Sequence, residues 1–370
     1  MENFSRVTIG IKGAGLTNQI GYLIVGIIKS YRKNKRFVLL QDFNTNFSTD
    51  SRVPLGEIID LSHLNSYLQK FGLYVFDSTA KINILSVKYG FEFNISNITE
   101  KAIGLFKKGN SFFIPKGYQL NNLNGDPAPE KYKTLCIEYS IGNKHHSVSY
   151  PEHRDSDISF DLNDAELFDR GCWIDLFDVQ QYNDILSNIK FNEKFYHFSD
   201  KFIGVFIEKF SEQTETSSLV SQETNLKINA IHVRDDNDAI DFWSKINHMS
   251  EVSFSSQLTN KYARLIDEYF DVNDPVIVIT SNLKSPVIKY LSDKGYKYFI
   301  SDKQTEGRET DGIVDLLISQ HCNNVFIGNY NVALYRGSTF SYFVDLCLSK
   351  DVTKVMLDLD NIIAPTTIHK

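Results

Sequence analysis

Hydrophobic positions along this chain fall into two alternating periods. Val7-Thr8-Ile9-Gly10-Ile11 alternates as a buried strand, and Gly13-Ala14-Gly15 breaks it. From Asn18 to Lys33, residues Ile20, Leu23, Ile24, Ile27, Ile28 and Tyr31 recur at the spacing of an amphipathic helix. Arg36-Phe37-Val38-Leu39-Leu40 predicts a second strand. Strand, glycine turn, helix, strand is the opening of a doubly wound parallel sheet. Beyond it the pattern predicts a helix over 55–72 and short strands and loops over 80–120. It then predicts a loop over 121–130, a strand over 134–139 and helices over 174–190 and 193–211. Residues 143–160 are polar, rich in His and Asp, and read as a surface excursion around Pro151.

The second half repeats the alternation. Strands are expected over 226–233, 275–280, 296–300 and 324–328, and helices over 255–270, 285–294, 311–322 and 338–348. Pro286 suits the first turn of its helix, and the run Val276-Ile277-Val278-Ile279 suits a strand covered on both faces. Glu212 to Thr224 is rich in Ser, Thr, Glu and Gln and nearly free of apolar residues, which marks a linker. The expected architecture is α/β: a Rossmann-like domain over 1–215, a second over 225–350, and a tail over 351–370.

Composition narrows the function. At 370 residues, 42% hydrophobic and 23% charged, the chain has the make-up of a soluble globular protein. A formal net charge of -7 argues against a nucleic-acid partner held by bulk electrostatics, while leaving room for a local basic pocket. The N-terminus lacks a basic n-region and apolar core, and the apolar run Gly21 to Ile28 is far too short for a membrane span. The expectation is a cytoplasmic enzyme of bacterial or viral type. The four cysteines form no C-x-x-C pair and no zinc spacing, so they are expected to be buried, reduced thiols.

Three segments carry chemistry. Gly13-Ala14-Gly15-Leu16-Thr17-Asn18-Gln19 sits at the first strand–helix turn, where glycines admit a ligand and a helix N-terminus offers free N–H groups. Capping by Thr17 or Asn18 is the plainer reading. His232-Val233-Arg234 ends an apolar strand and runs into Asp235-Asp236-Asn237-Asp238. An Arg at a strand end is a planar fork suited to a diphosphate, or half of a local Arg–Asp ion pair. Phe326 to Ser341 is a strand end, a loop, and then Gly337-Ser338-Thr339 opening a helix. That is an anion cradle, or simple N-capping by Ser338.

In order and spacing the three segments resemble the fucosyltransferase superfamily of glycosyltransferases, which includes bacterial α-1,2-fucosyltransferases and protein O-fucosyltransferases. Gly13 to Gln19 resembles its G-x-G-N-Q turn, His232-Val233-Arg234 its H-[VLI]-R, and Phe326-Ile327-Gly328-Asn329 with Ser338-Thr339-Phe340-Ser341 its last element. The resemblance implies a GT-B fold of two Rossmann-like domains facing across a cleft. It also implies inverting, metal-independent transfer of L-fucose from GDP-fucose to a glycan acceptor, with no cofactor beyond that nucleotide sugar. By the same resemblance Arg234, Asp238 and Asn18 are the catalytic residues. His232, Arg234, Gly15, Asn18, Ser338, Thr339 and Phe340 bind the donor, and no residue binds a metal.

The chain departs from the family at Thr17, where Gly is usual, and at Asp235, where a second basic residue is usual. The second departure admits another nucleoside-diphosphate sugar, or a non-catalytic glycan-binding homologue. Asp235, Asp236 and Asp241 are further candidate bases beside Asp238. Asp358-Leu359-Asp360 has the form of a D-x-D metal motif but no nucleotide motif around it.

Overall fold

Six strands of the second half lie side by side in the spatial order Tyr298–Ile300, Val276–Ile279, Asn229–His232, Val325–Gly328, Thr353–Met356 and Thr367–His369. They are seen in a computed structural model that describes residues 4–7, 9, 15–46, 49–142, 144–161, 166–168, 179–211, 226–300, 307–331 and 336–369. The first five run parallel and the last pairs antiparallel. By chain order within the sheet this is 3-2-1-4-5-6, the doubly wound arrangement.

The alternation of strand side chains explains the layers. Ile231, Val233, Val276, Val278, Val325, Ile327 and Val355 share a core with residues of the helices Asn237–Ile246, Glu251–Tyr269 and Pro286–Asp293. Ala230, His232, Ile277 and Phe326 therefore face the other side. On that side the helix Arg308–Ser319 packs against Glu193–Ser211 and Thr339–Cys347, and Phe202 meets Phe299 edge-on at 4.4 Å. Ser285 caps its helix through the Val287 N–H, with Pro286 in the first turn as expected.

The other unit holds a parallel sheet of Glu166–Phe168, Phe4–Val7, Phe37–Leu40 and Tyr74–Phe76. The described part of the first strand is Phe4–Val7, and residues 8 and 10–14, which take in most of the strand expected over 7–11, fall outside the described set. The helix Leu16–Arg32 follows it. Beside this sheet stands an antiparallel one, Lys144–Pro151, Thr134–Ile141, Ile82–Phe91 and Asn94–Asn97.

The surface excursion expected over 143–160 instead holds the strand Lys144–Pro151 and the start of another, Ile158–Asp161. At the sheet edge the side chains of Lys144–Pro151 alternate between half-buried and exposed, so little apolar content marks it. The 80–120 stretch likewise holds a ten-residue strand, Ile82–Phe91, and a helix, Thr99–Phe106. The helix expected over 55–72 is α-helical over Leu61–Leu68, where Asp60 caps it through the His63 N–H, with short 3-10 turns at Leu55–Glu57 and Gln69–Phe71.

The chain divides into one unit of Met1–Lys12, Gln19–Asn44 and Ser51–Lys190, and another of Gly13–Asn18, Thr45–Asp50 and Phe191–Lys370. The expected linker, Glu212 to Thr224, lies outside the described residues. The helix Glu193–Ser211, expected in the first domain, belongs to the second unit because it packs on Arg308–Ser319. The expected tail over 351–370 instead supplies two strands of the second sheet. Of the cysteines, Cys322 is buried, Cys136 partly so, Cys347 exposed, and Cys172 lies outside the described residues. Among the described residues, no helix is long and apolar enough to cross a membrane.

Candidate active site

The sheet order reverses between Asn229–His232 and Val325–Gly328, so the connections from these two strands leave in opposite directions. A crevice opens at their carboxyl ends, where ligands of doubly wound sheets bind. A buried polar network holds it open. The Asn329 amide donates to the His232 carbonyl at 2.6 Å, and the Tyr262 hydroxyl lies 2.5 Å from Asn329 Oδ1. The same Tyr262 oxygen accepts the Arg234 N–H at 3.1 Å. His232 Nδ1 meets Ser341 Oγ at 2.7 Å, and its ring lies 4.9 Å from that of Phe340. Burial, helped by the charge of Arg234, pushes the His232 pKa down to about 3, so the ring is neutral.

Arg234 reaches two carboxylates. Its Nη1 donates to Asp236, and its Nη2 to Asp238 at 3.1 Å. The ion pair anticipated from the sequence therefore exists, and it stands at the mouth of the crevice. Burial raises the proton affinity of Asp238, but Arg234, the neighbouring Asp236 and Arg308 outweigh it, and its pKa is lowered. Asp235 turns elsewhere. It is buried and accepts from Ser285 Oγ at 2.5 Å and Asn282 Nδ2 at 3.1 Å, tying the end of the first strand to the loop after the second. Asp241 pairs with Lys245 one helical turn on.

Two helix starts complete the walls. Leu16 opens the helix Leu16–Arg32, so Thr17 and Asn18 lie inside it and neither caps it. The cap comes from Glu309, which accepts the Leu16 N–H. Thr17 Oγ1 meets Thr339 Oγ1 at 2.6 Å. Gln19 is structural: its amide makes two 2.8 Å bonds with the backbone of Asn44. Ser338 stands at the N-cap of Thr339–Cys347 without a side-chain capping bond, and its N–H donates to the Asn329 carbonyl at 2.7 Å.

The result is one pocket of about 270 Å³. All eight expected site residues line it: Gly15, Asn18, His232, Arg234, Asp238, Ser338, Thr339 and Phe340.

Among solved structures, the chain is similar to the fucosyltransferase NodZ from Bradyrhizobium, at 12% identity and a TM-score of 0.49 over 100% of this chain and 98% of that one. It is also similar to NodZ alpha-1,6-fucosyltransferase co-crystallized with GDP, at 12% and 0.48 over the same shares. POFUT1 in complex with GDP-fucose follows at 10% and 0.45, over 94% of each chain. No family model matches the sequence, and no curated protein matches it. Likeness this distant leaves the chemistry of the pocket to be argued from the pocket.

The sequence pattern missed one whole wall. Arg308, Glu309, Asp311, Gly312 and Asp315 line the pocket from the first turns of Arg308–Ser319. A charged residue at a helix start reads equally well as solvent-facing, and residues 301–306 before it fall outside the described set. Tyr262 was hidden as an ordinary core position of its helix. Asp358 and Asp360 are spoken for elsewhere: Asp358 accepts from Asn331 at 2.6 Å, and Asp360 from the Trp243 indole at 3.1 Å.

Proposed function

We propose that this protein is a GT-B glycosyltransferase that transfers a sugar from a nucleoside-diphosphate donor to a glycan acceptor. The donor proposed is GDP-fucose, the transfer inverting and metal-independent. The observation that carries the reading is the gathering of His232, Arg234, Asn18 and the Ser338–Phe340 helix start in one pocket at the sheet's switch point. The motif resemblance names the donor class, and the geometry supports it. A guanidinium, a neutral imidazole and a helix N-terminus converge where a diphosphate can lie. Carboxylates Asp311 and Asp315 line the pocket as acceptors for the hydroxyl or amide donors of the rest of the ligand.

In the reaction, the bond from the anomeric carbon to the β-phosphate oxygen breaks and its electron pair stays on the phosphate. Arg234 stabilises that growing charge in the role a metal plays elsewhere. The acceptor hydroxyl attacks the opposite face and loses its proton. Asp238 is exposed enough to receive it, and its lowered proton affinity suits a displacement in which the leaving bond breaks first. Asn18 lines the same pocket and is assigned to the sugar.

Two measurements test this. Arg234→Ala should abolish transfer and donor hydrolysis while leaving the protein folded; near-wild-type turnover would overturn the reading. In a thermal-shift panel of GDP, UDP, ADP and dTDP, GDP should stabilise most, by about 2.7 kcal/mol at a hundredfold excess over Kd. A larger shift from another nucleotide would change the donor. The pairing of Arg234 with both Asp236 and Asp238 favours a second reading, a non-catalytic glycan-binding homologue. Stabilisation by none of the four would support it.

A further inference from the structure

We propose that Arg308 is a second cation that holds the donor's diphosphate, supplying from a helix start the charge that position 235 does not supply beside Arg234. The inference rests on the function proposed above and adds a residue to it.

Position 235 is closed to this role. Asp235 is buried and its carboxylate is consumed by Ser285 and Asn282, away from the pocket lining. Arg234 alone is poorly matched to a diphosphate, because Asp236 and Asp238 already share its guanidinium. A donor diphosphate brings about two negative charges, and cleavage of the sugar bond leaves a third on the departing nucleotide. Other lining residues, Asp238, Glu309, Asp311 and Asp315, are acidic and add to the mismatch.

Arg308 answers it by position. It is the first residue of its helix, and it lines the same pocket as Arg234 and Ser338. Arg234 and Arg308 both lower the proton affinity of the same two carboxylates, Asp238 and Glu309. Both arginines line one pocket, so the space between them is shared. Arg234 enters that space from the end of the first strand, and Arg308 from the helix after the third. A diphosphate between them is gripped by two planar forks, which Lys, as a point charge, reproduces only in part.

The test compares the wild type with Arg308→Ala and Arg308→Lys, each checked for folding by circular dichroism and melting temperature. Binding of GDP and of guanosine is measured by calorimetry. The expectation is that Arg308→Ala weakens GDP by about tenfold or more while changing guanosine by less than about twofold, and that Arg308→Lys recovers part of the loss. Equal losses for GDP and guanosine, or unchanged GDP binding in both variants, would overturn the inference and leave the proposed function standing. Failure of the wild type to prefer GDP to guanosine would overturn the proposed function and this inference with it.

Discussion

His232 Nδ1 and Ser341 Oγ meet at 2.7 Å, in a place where both residues are buried. The same Ser341 oxygen accepts the Asn329 N–H at 2.9 Å. One hydroxyl therefore fastens a helix to the ends of both strands that flank the switch point. A serine oxygen carries two lone pairs, so the bond to the neutral ring runs from the hydroxyl to Nδ1 in the Nε2–H tautomer and from Nδ1–H to the hydroxyl in the other.

Ser341→Ala should therefore cost more than a typical serine. It leaves a buried ring nitrogen and a buried backbone N–H without partners, each worth about 1–3 kcal/mol. Urea denaturation should show a loss of about 2–4 kcal/mol at unchanged m value. A loss below about 0.5 kcal/mol would mean that water replaces the hydroxyl and that the network does not hold the pocket.

The neutral ring also predicts a pH dependence. The His232 pKa in the fold, about 3, lies below its ordinary 6.5, so the unfolded chain takes up a proton that the folded one refuses. The stability this group contributes is present above about pH 6.5 and is lost as pH falls toward the folded value. The slope is about 1.4 kcal/mol per pH unit. Urea midpoints at pH 7, 6 and 5 should converge between wild type and His232→Gln as the pH drops. Parallel curves would show that His232 binds its proton equally in the folded and unfolded states, so that burial does not lower its pKa.

Much of this arrangement was legible in the sequence. The α/β alternation of the second half follows from apolar runs and amphipathic helices, and His232, Arg234 and Ser338 stand where strand ends and a helix start place them, whereas the last two strands lie in the segment that read as a tail. What was not legible depends on contacts far apart in the chain. Glu309 caps Leu16 across 293 residues, and no local pattern encodes that. The strand Lys144–Pro151 hid because an edge strand with one wet face carries few apolar residues. The acidic run read as one feature, but each carboxylate has its own work: Asp235 braces a loop, while Asp236 and Asp238 hold Arg234.

That division of labour predicts the result of making position 235 basic. Asp235→Arg should not improve nucleotide binding, because the side chain would be pushed into the buried space that Ser285 and Asn282 now close. It forfeits both hydrogen bonds and buries an unpaired charge, at a cost of about 3 kcal/mol or more. The checks are expression yield, melting temperature and GDP affinity. A folded Asp235→Arg protein that binds GDP more tightly than wild type would show that the position opens to the pocket.

Glu309 separates the roles of hydrogen bond and charge. Burial raises its pKa above the ordinary 4.5, although the Leu16 N–H, Arg308 and Arg234 all pull it down. A raised carboxyl contributes stability below about pH 4.5 and loses it as pH rises through the folded value. Glu309→Gln keeps an oxygen for the Leu16 N–H and removes the charge. It should match or exceed wild-type stability at pH 7 and fall behind at pH 4. Glu309→Ala leaves the Leu16 N–H without its cap and should lose about 1–2 kcal/mol at pH 7. Because the carboxylate also opposes an incoming diphosphate, Glu309→Gln should tighten GDP binding several-fold, a change of about 1 kcal/mol. Urea midpoints at both pH values, with GDP calorimetry, decide it. If Gln loses as much stability as Ala at pH 7, the charge rather than the hydrogen bond anchors the helix start, and the carboxylate belongs to the structure of the pocket rather than to its resting electrostatics.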